Sequence, residues 1–532
     1  MEKYFTNPIL PGFYPDPTIC HVNDDYYLVT SSFELFPALP VFHSKDLVHW
    51  KQLGHVLDKK EWLYLDANLF SGGMMAPTLR YNNGTFYLIC CNFADSGNFI
   101  MTAKNPAGPW NKPIPLPDVP GIDASIFFDD NGKCYVTSTG LFDFADCKEQ
   151  GIWGAEFDPE SGKLLSEKKV IWRSALRGAP SSEAPHLYHI GEWYYLITAE
   201  GGTEHYHSVV IGRSKEPLGE YIGCSNNPIM THRHLGKNYP IGNPGHADLV
   251  QTQNGDWYAV LLASRLVDGF HKNMGRETYM VPVDWEDDWP IFSPGTGKIE
   301  FKYPAPCLPE SPAQEKIPEI DNFDSDILDS RWVFWGTPYQ DFFKLEDSML
   351  KLKALPHAMA RPLKRIVIDT AAEKKYDDNV SCVLRRQCQP NFDACCHLTF
   401  KAKDEEAAGL IVLQQCNHQL RIEKREKTIR VVLSECNMDC IPFMPEFKDN
   451  TVEHILMEQP YNSDTVVMRI AAYGQDLAVY YNDILLCHID GKRINTEELG
   501  PMTGTMVGMF ATSNKKESDN WAFFDWFRYT ER

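Results

Sequence analysis

Three acidic residues open short strand-like segments that lie far apart in the chain: Asp16 in GFYPDPTIC, Asp123 in GIDASIFFDDNGK and Glu183 in SSEAPHLY. His246 opens a fourth such segment, GHADLVQTQNGDW. Asp16 stands between two prolines, Pro15 with its fixed φ and Pro17, which holds the residue before it in extended backbone, so this carboxylate is expected on a stiff piece of chain. Carboxylates gathered at one mouth push one another's pKa values apart, so that one stays ionised as a base while another keeps its proton as an acid. Hydrolysis of a glycosidic bond needs such a pair. Two other uses of the same residues stay open. Asp, Asp, Glu and His are a reasonable metal set, to which His205 and His207 of GGTEHYHSVV could add, although no closely spaced ligand pair occurs among the strand-opening acids. A sugar-binding protein without catalysis would use the aromatic residues and leave the acids unexplained.

The elements that must position these groups repeat. DPTICHVNDDYYLVTSS, APTLRYNNGTFYLICC, DASIFFDDNGKCYVTS, EAPHLYHIGEWYYLITA and HADLVQTQNGDWYAVLLA each read as strand, turn and aromatic-rich strand. Intervening stretches such as FHSKDLVHWKQLG and IGRSKEPLGEYIG supply further strands. Small antiparallel sheets repeated in this way predict a five-bladed β-propeller over residues 1–302. Equivalent positions of the innermost strands converge on the axis, which brings Asp16, Met75 or Ala76, Asp123, Glu183 and His246 together. Residues 303–320, YPAPCLPESPAQEKIPEI, read as a linker, and the period-two alternation of MLKLKA, HLTFKAK, AGLIVLQQ and TIRVVLSE predicts a β-sandwich over 321–532. The fold class is all-β.

A net charge of −21 disfavours nucleic acid, anionic membrane and polyanionic substrates, and 13 Trp, 24 Tyr and 29 Phe suit a neutral sugar. The N-terminal stretch has no apolar signal core, no run reaches membrane-spanning length, and the 15 cysteines form no CxxC pair. Free thiols and a cytoplasmic location are expected. A homo-oligomer is compatible with all of this.

NPILPGFYPDPTI, GIDASIFFDDNGK, SSEAPHLY, TEHYHSVVIGRS, GHADLVQTQNGDW and MGRETYMVPVDWEDDWP, in this order, resemble the motifs of glycoside hydrolase family 43, in its two-domain β-xylosidase and α-L-arabinofuranosidase form. IDNFDSDILDSRWVFWG and NWAFFDWFRY resemble the concanavalin-like jelly-roll sandwich of the same enzymes. The resemblance implies an exo-acting, inverting hydrolase that releases a terminal pentose from xylo-oligosaccharides, or an arabinofuranosidase acting alone or in addition. It makes Asp16 the general base, Glu183 the general acid and Asp123 the modulator of the acid. Arg276 is implied as a sugar contact that keeps its acidic neighbours ionised, with Thr203, His246, Phe33 and Ala76 lining the cavity. Met75 replaces a tryptophan of the family, and Met506, in the loop GTMVGM expected to reach the pocket, replaces a phenylalanine. The chemistry needs no cofactor. An axial ion near His246, and a structural calcium on Asp321 and Asp525, are further expectations.

Overall fold

Short turns set the hairpins. Asn83 and Gly84, at φ of 47° and 76°, join Met74–Asn82 to Thr85–Asn92 in a two-residue loop that only left-handed residues can close. A computed structural model of the chain describes residues 4–66, 71–93, 95–143, 148–176, 180–305, 308, 317–362, 374, 378–436, 448, 450–494 and 502–532. Among the described residues the helical elements are two single 3₁₀ turns, Lys60–Trp62 and Gly491–Arg493, and no helix is long and apolar enough to cross a membrane.

Five antiparallel sheets form the propeller, and their innermost strands are Thr18–Val22, Met74–Asn82, Ser125–Phe128, Glu183–Ile190 and Ile241–Gln251. The stretches between the sequence repeats supply outer strands, Ala38–Ser44 with Lys51–Leu57 in blade 1 and Ser208–Ser214 in blade 4. The chain entering blade 1 and the chain leaving blade 5 meet in a separate two-stranded sheet, Tyr4–Thr6 with Lys302–Pro304, so Tyr303 and Pro304, expected in the linker, are strand residues. Most of the remaining linker lies outside the described residues.

The second half forms two eight-stranded sheets. One runs from Phe343–Glu346 through Trp521–Glu531 to Ile484–Asp490, with Ile320–Asp321 added beside Trp521–Glu531. The other begins at Thr451–Pro460 and runs through Ala407–Gln415, Met506–Thr512 and Ser381–Arg386 to Val333–Trp335. Its last strand comes from the propeller: Leu35–Phe36, in the loop after the second strand of blade 1, pairs with Trp335 and Phe334. The seam between the halves is a true apolar core, in which Phe13, Phe33, Leu35 and Met75 pack with Val333, Trp335, Leu413 and Met506. Burying such side chains contributes roughly 1.5–3 kcal/mol each.

Candidate active site

Each innermost strand is entered through the same backbone device. Asp16, Ala76, Asp123, Ala184 and His246 all take left-handed φ, between 39° and 55°. A non-glycine residue in this region costs about 1–2 kcal/mol, and Asp tolerates it better than most. Pairing with the next strand slips between Met75 and Thr78, Glu183 and His186, and Gly245 and Asp248. A slip of this kind bends the strand and re-aims its side chains. The true equivalents around the ring are therefore Asp16, Ala76, Asp123, Ala184 and His246, and Glu183 stands one residue ahead of the phase. For Asp16 the expectation of extended backbone fails, because the blade entry demands a left-handed residue there.

Asp16 is buried and held from several blades. Its Oδ1 accepts from Arg276 Nη1 at 3.1 Å and lies 3.5 Å from His246 Nδ1. Its Oδ2 accepts from Ser31 Oγ at 2.6 Å, and the same hydroxyl accepts from the Ala76 amide at 2.6 Å. Burial alone would raise the Asp16 pKa, but the Arg276 guanidinium, His246 and the Ser31 hydroxyl outweigh it and hold this carboxyl below its ordinary value.

Asp123 and Glu183 behave in the opposite way. Burial lifts Asp123 well above the usual range, helped by the negative charges of Glu183 and Asp16, although its Oδ2 accepts from the Ala184 amide at 3.1 Å. Burial also raises Glu183, the Asp16 charge adds to this, and hydrogen bonds from Ser181 and Gln150 only partly offset it. Burial and mutual repulsion thus keep a proton on the Asp123–Glu183 pair. One fixed carboxylate facing a pair that retains a proton is the arrangement acid–base hydrolysis requires.

Arg276 ties the site to the sandwich. Its Nη1 also donates to Thr203 Oγ1 at 3.1 Å, its Nη2 donates to the Met502 carbonyl at 3.2 Å, and its Cζ lies 5.4 Å from the Phe33 ring centre. Its buried Nε has no hydrogen-bond partner among the described residues. The sandwich segment that reaches the site is therefore the one beginning at Met502, whose amide donates to Ser71 Oγ. Met506 is not on a reaching loop. It begins the strand Met506–Thr512, is 3% exposed, and packs beside Phe33 and Met75 in the seam, because this strand is central to its sheet.

Just beyond the blade entries, two residues on in blades 1, 3, 4 and 5 and four on in blade 2, a polar hub fills the axis. Arg80 makes a bidentate ion pair with Asp248, at 2.9 and 3.0 Å, and touches Thr18 Oγ1 and His186 Nδ1. Asp248 also accepts from Thr18, the Ile19 amide and Tyr188, while Ser125 bonds His186. All five blades meet at this hub. Burial pushes His186 down to about 3, so that ring is neutral, and burial also lowers His246, against the opposing pull of the Asp16 charge. The axial cation of the hub is the protein's own guanidinium.

The Asp321 and Asp525 pair does not fit a calcium ion, which takes about six to eight oxygens. Asp321 caps the Phe323 amide and accepts from Trp332 Nε1, while Asp525 faces His397 at 3.5 Å. Among the described residues, the side chains grouped closely enough for a metal are Asp129, Asp130 and His189, on the hairpins of blades 3 and 4. His207 is buried with Nδ1 3.0 Å from the Asn243 carbonyl, and His205 packs on Phe270.

Residues 5–290 match the sequence profile of the glycosyl hydrolases of family 43. The chain belongs to this family. Residues 320–530 match the β-xylosidase C-terminal concanavalin A-like domain. The enzyme is 39% identical to a xylosidase/arabinosidase of Butyrivibrio fibrisolvens, over 99% of both chains. It is 36% identical to a non-reducing end α-L-arabinofuranosidase of Bacteroides ovatus, over 99% of this chain and 95% of that one. The solved xylan β-1,4-xylosidase of Bacillus halodurans superposes with a TM-score of 0.86 at 29% identity, covering 99% of this chain and all of that one. This family 43 enzyme is a glycosidase with the two-domain plan of those relatives.

Sequence reasoning missed Ser31, Met502 and the Arg80–Asp248 hub. Ser31 carried a faint signal, a serine pair directly after the second strand of a repeat that contains Asp16.

Proposed function

We propose that the enzyme removes terminal pentose residues from the non-reducing ends of xylo-oligosaccharides with inversion. Asp16 takes a proton from a water that attacks the anomeric carbon. Glu183 gives a proton to the departing glycosidic oxygen as the C–O bond breaks, and Asp123 holds Glu183 in its protonated form. The observation that carries this reading is the electrostatic split between Asp16, held ionised by Arg276 and Ser31, and the Asp123–Glu183 pair, which keeps a proton. The sandwich segment from Met502 to Thr505 walls one side of the site through Arg276 and the Asn273 carbonyl, which suits a chain end better than a chain middle.

Arabinofuranosidase action on arabinose-decorated fragments is the second reading. It is favoured by Met75, a pliant side chain where the family resemblance places a tryptophan, and by the names of the two relatives given above. The free and mostly buried cysteines suit work in the cytoplasm.

The test compares rates on aryl β-D-xylopyranoside and aryl α-L-arabinofuranoside with one preparation, reading the first-formed anomer by NMR. Faster xyloside cleavage giving α-xylose first supports the main reading. Release of β-xylose first would remove the inverting assignment.

A further inference from the structure

Glu34 is 6% exposed, and its Oε2 has no hydrogen-bond partner among the described residues. It lines a cavity of about 10 Å³ in the seam, about the room one water needs, together with Phe13, Leu35, Trp335, Gln414, Thr503 and Met506. The Glu34 carbonyl accepts from the Gly336 amide at 2.9 Å, so this residue leads directly into the strand that the propeller lends to the sandwich.

The chain around it has no slack. Ser31 donates its amide to the Pro15 carbonyl and its hydroxyl to Asp16. Phe33 exchanges backbone hydrogen bonds with Met74 in both directions, and the Leu35 amide returns to the Ser32 carbonyl. Six residues therefore connect the carboxylate that faces substrate to the edge of the second domain.

We propose that Glu34 is a proton-operated latch that positions the catalytic groups: its neutral carboxyl keeps Leu35–Phe36 docked on the sandwich sheet, and loss of its proton releases that strand and with it the hold of Ser31 on Asp16. No residue lining the cavity other than Glu34 can titrate. The charged groups on neighbouring elements do not pair with Glu34. Arg386 donates its Nε to the Phe13 carbonyl and lies on the Tyr14 ring, with Nη1 and Nη2 buried and without a hydrogen-bond partner among the described residues. Arg385 lies on the Tyr529 ring, Arg276 is bound to Asp16, and among the described residues none of them forms an ion pair with Glu34.

Burial pushes the docked carboxyl up to about 8 from an ordinary 4.5. The docked seam therefore binds a proton that the open seam releases. Between these two values the opening constant rises about tenfold per pH unit, and outside them it is level.

The latch rests on the proposed mechanism only for its activity readout, because backbone exchange reads the seam directly. Hydrogen–deuterium exchange, corrected for intrinsic rates, is followed for segments 31–37 and 333–337 in the whole enzyme, as wild type, Glu34→Gln and Glu34→Ala. In the wild type the opening constant is expected to climb about tenfold per unit between pH about 5 and about 8, and in Glu34→Gln to stay level. Over the same range the wild-type kcat/KM on an aryl glycoside falls relative to Glu34→Gln. Glu34→Ala opens the seam at every pH, and the glutamine restores it. Parallel pH dependence in wild type and Glu34→Gln overturns the proposal, and so does seam opening that leaves the activity ratio unchanged. Should neither variant fold, a level opening constant in the wild type alone is decisive against it.

Discussion

Replacing Ser31 with alanine removes one hydroxyl and two contacts together. The first is its 2.6 Å bond to Asp16 Oδ2, the second its acceptance of the Ala76 amide at 2.6 Å. A hydrogen bond to a buried carboxylate contributes roughly 1.5–3 kcal/mol, which corresponds to about one to two pKa units. Asp16 lies below its ordinary value because Arg276, His246 and Ser31 together overcome burial. Losing one of the three moves its titration upward. A base works while ionised, so activity is lost as pH falls through this titration, and Ser31→Ala shifts the acid limb of kcat/KM toward neutrality by about one unit. The Ala76 amide, left buried without a partner, costs about 1–3 kcal/mol of stability besides. With one anchor gone, Asp16 holds water less well, and turnover at neutral pH drops about tenfold with KM nearly unchanged. The assay is a pH–rate profile on an aryl pentoside with thermal unfolding of the same samples. An acid limb that superposes on the wild type, in a variant that still unfolds cooperatively, would refute the reasoning that Ser31 sets the state of Asp16.

Glu183→Ala should lose about 10²–10⁴-fold on xylobiose, whose leaving group needs a proton, and far less on an activated aryl glycoside; equal loss on both substrates counts against its role as acid. Asp248→Asn leaves the Arg80 charge without its counter-ion on the axis and should lower stability by about 3–5 kcal/mol, read by denaturant unfolding. Arg80 outweighs burial and pushes the Asp248 carboxyl down to about 2 from 3.8, so the wild-type pair contributes about 2 kcal/mol that is complete above the ordinary value and is lost as pH falls toward the depressed one. An acid-unfolding midpoint unmoved in Asp248→Asn would contradict this. Exhaustive chelation should leave kcat and the melting temperature unchanged, since the hub carries its own cation and Asp321 is committed to Trp332 and Phe323; a chelator-induced loss restored by calcium would show a metal site that this side-chain arrangement does not provide.

The carboxylates were legible because one structural requirement recurs. Every blade must turn its chain into the ring at the same point, so Asp16, Asp123 and His246 occupy matching phases, and Glu183 is displaced by one residue only. Met506 was misread because the family resemblance placed GTMVGM on a reaching loop, and its two glycines gave no sign of a strand. Gly508 is instead a strand glycine, where an added Cβ would lie 1.9 Å from the Val383 carbonyl oxygen. Close strand approach and chain flexibility leave the same residue in a sequence. Ser31, Met502 and Arg80 were not legible because each acts across blades or domains, on partners whose proximity no local period encodes. The pairing of Leu35–Phe36 with Val333–Trp335 spans about three hundred residues and rests on shape, not on any motif.

That borrowed strand also bears on how such enzymes can be taken apart. A fragment beginning near residue 320 would present the bare rim of Val333–Trp335, with the side that pairs with Leu35 and Phe36 left open, to any extended peptide that passed, including another copy of itself. The two halves are consequently poor currency for recombination. A graft that exchanges the sandwich must bring a rim that accepts Leu35 and Phe36, or carry that loop of blade 1 along with it.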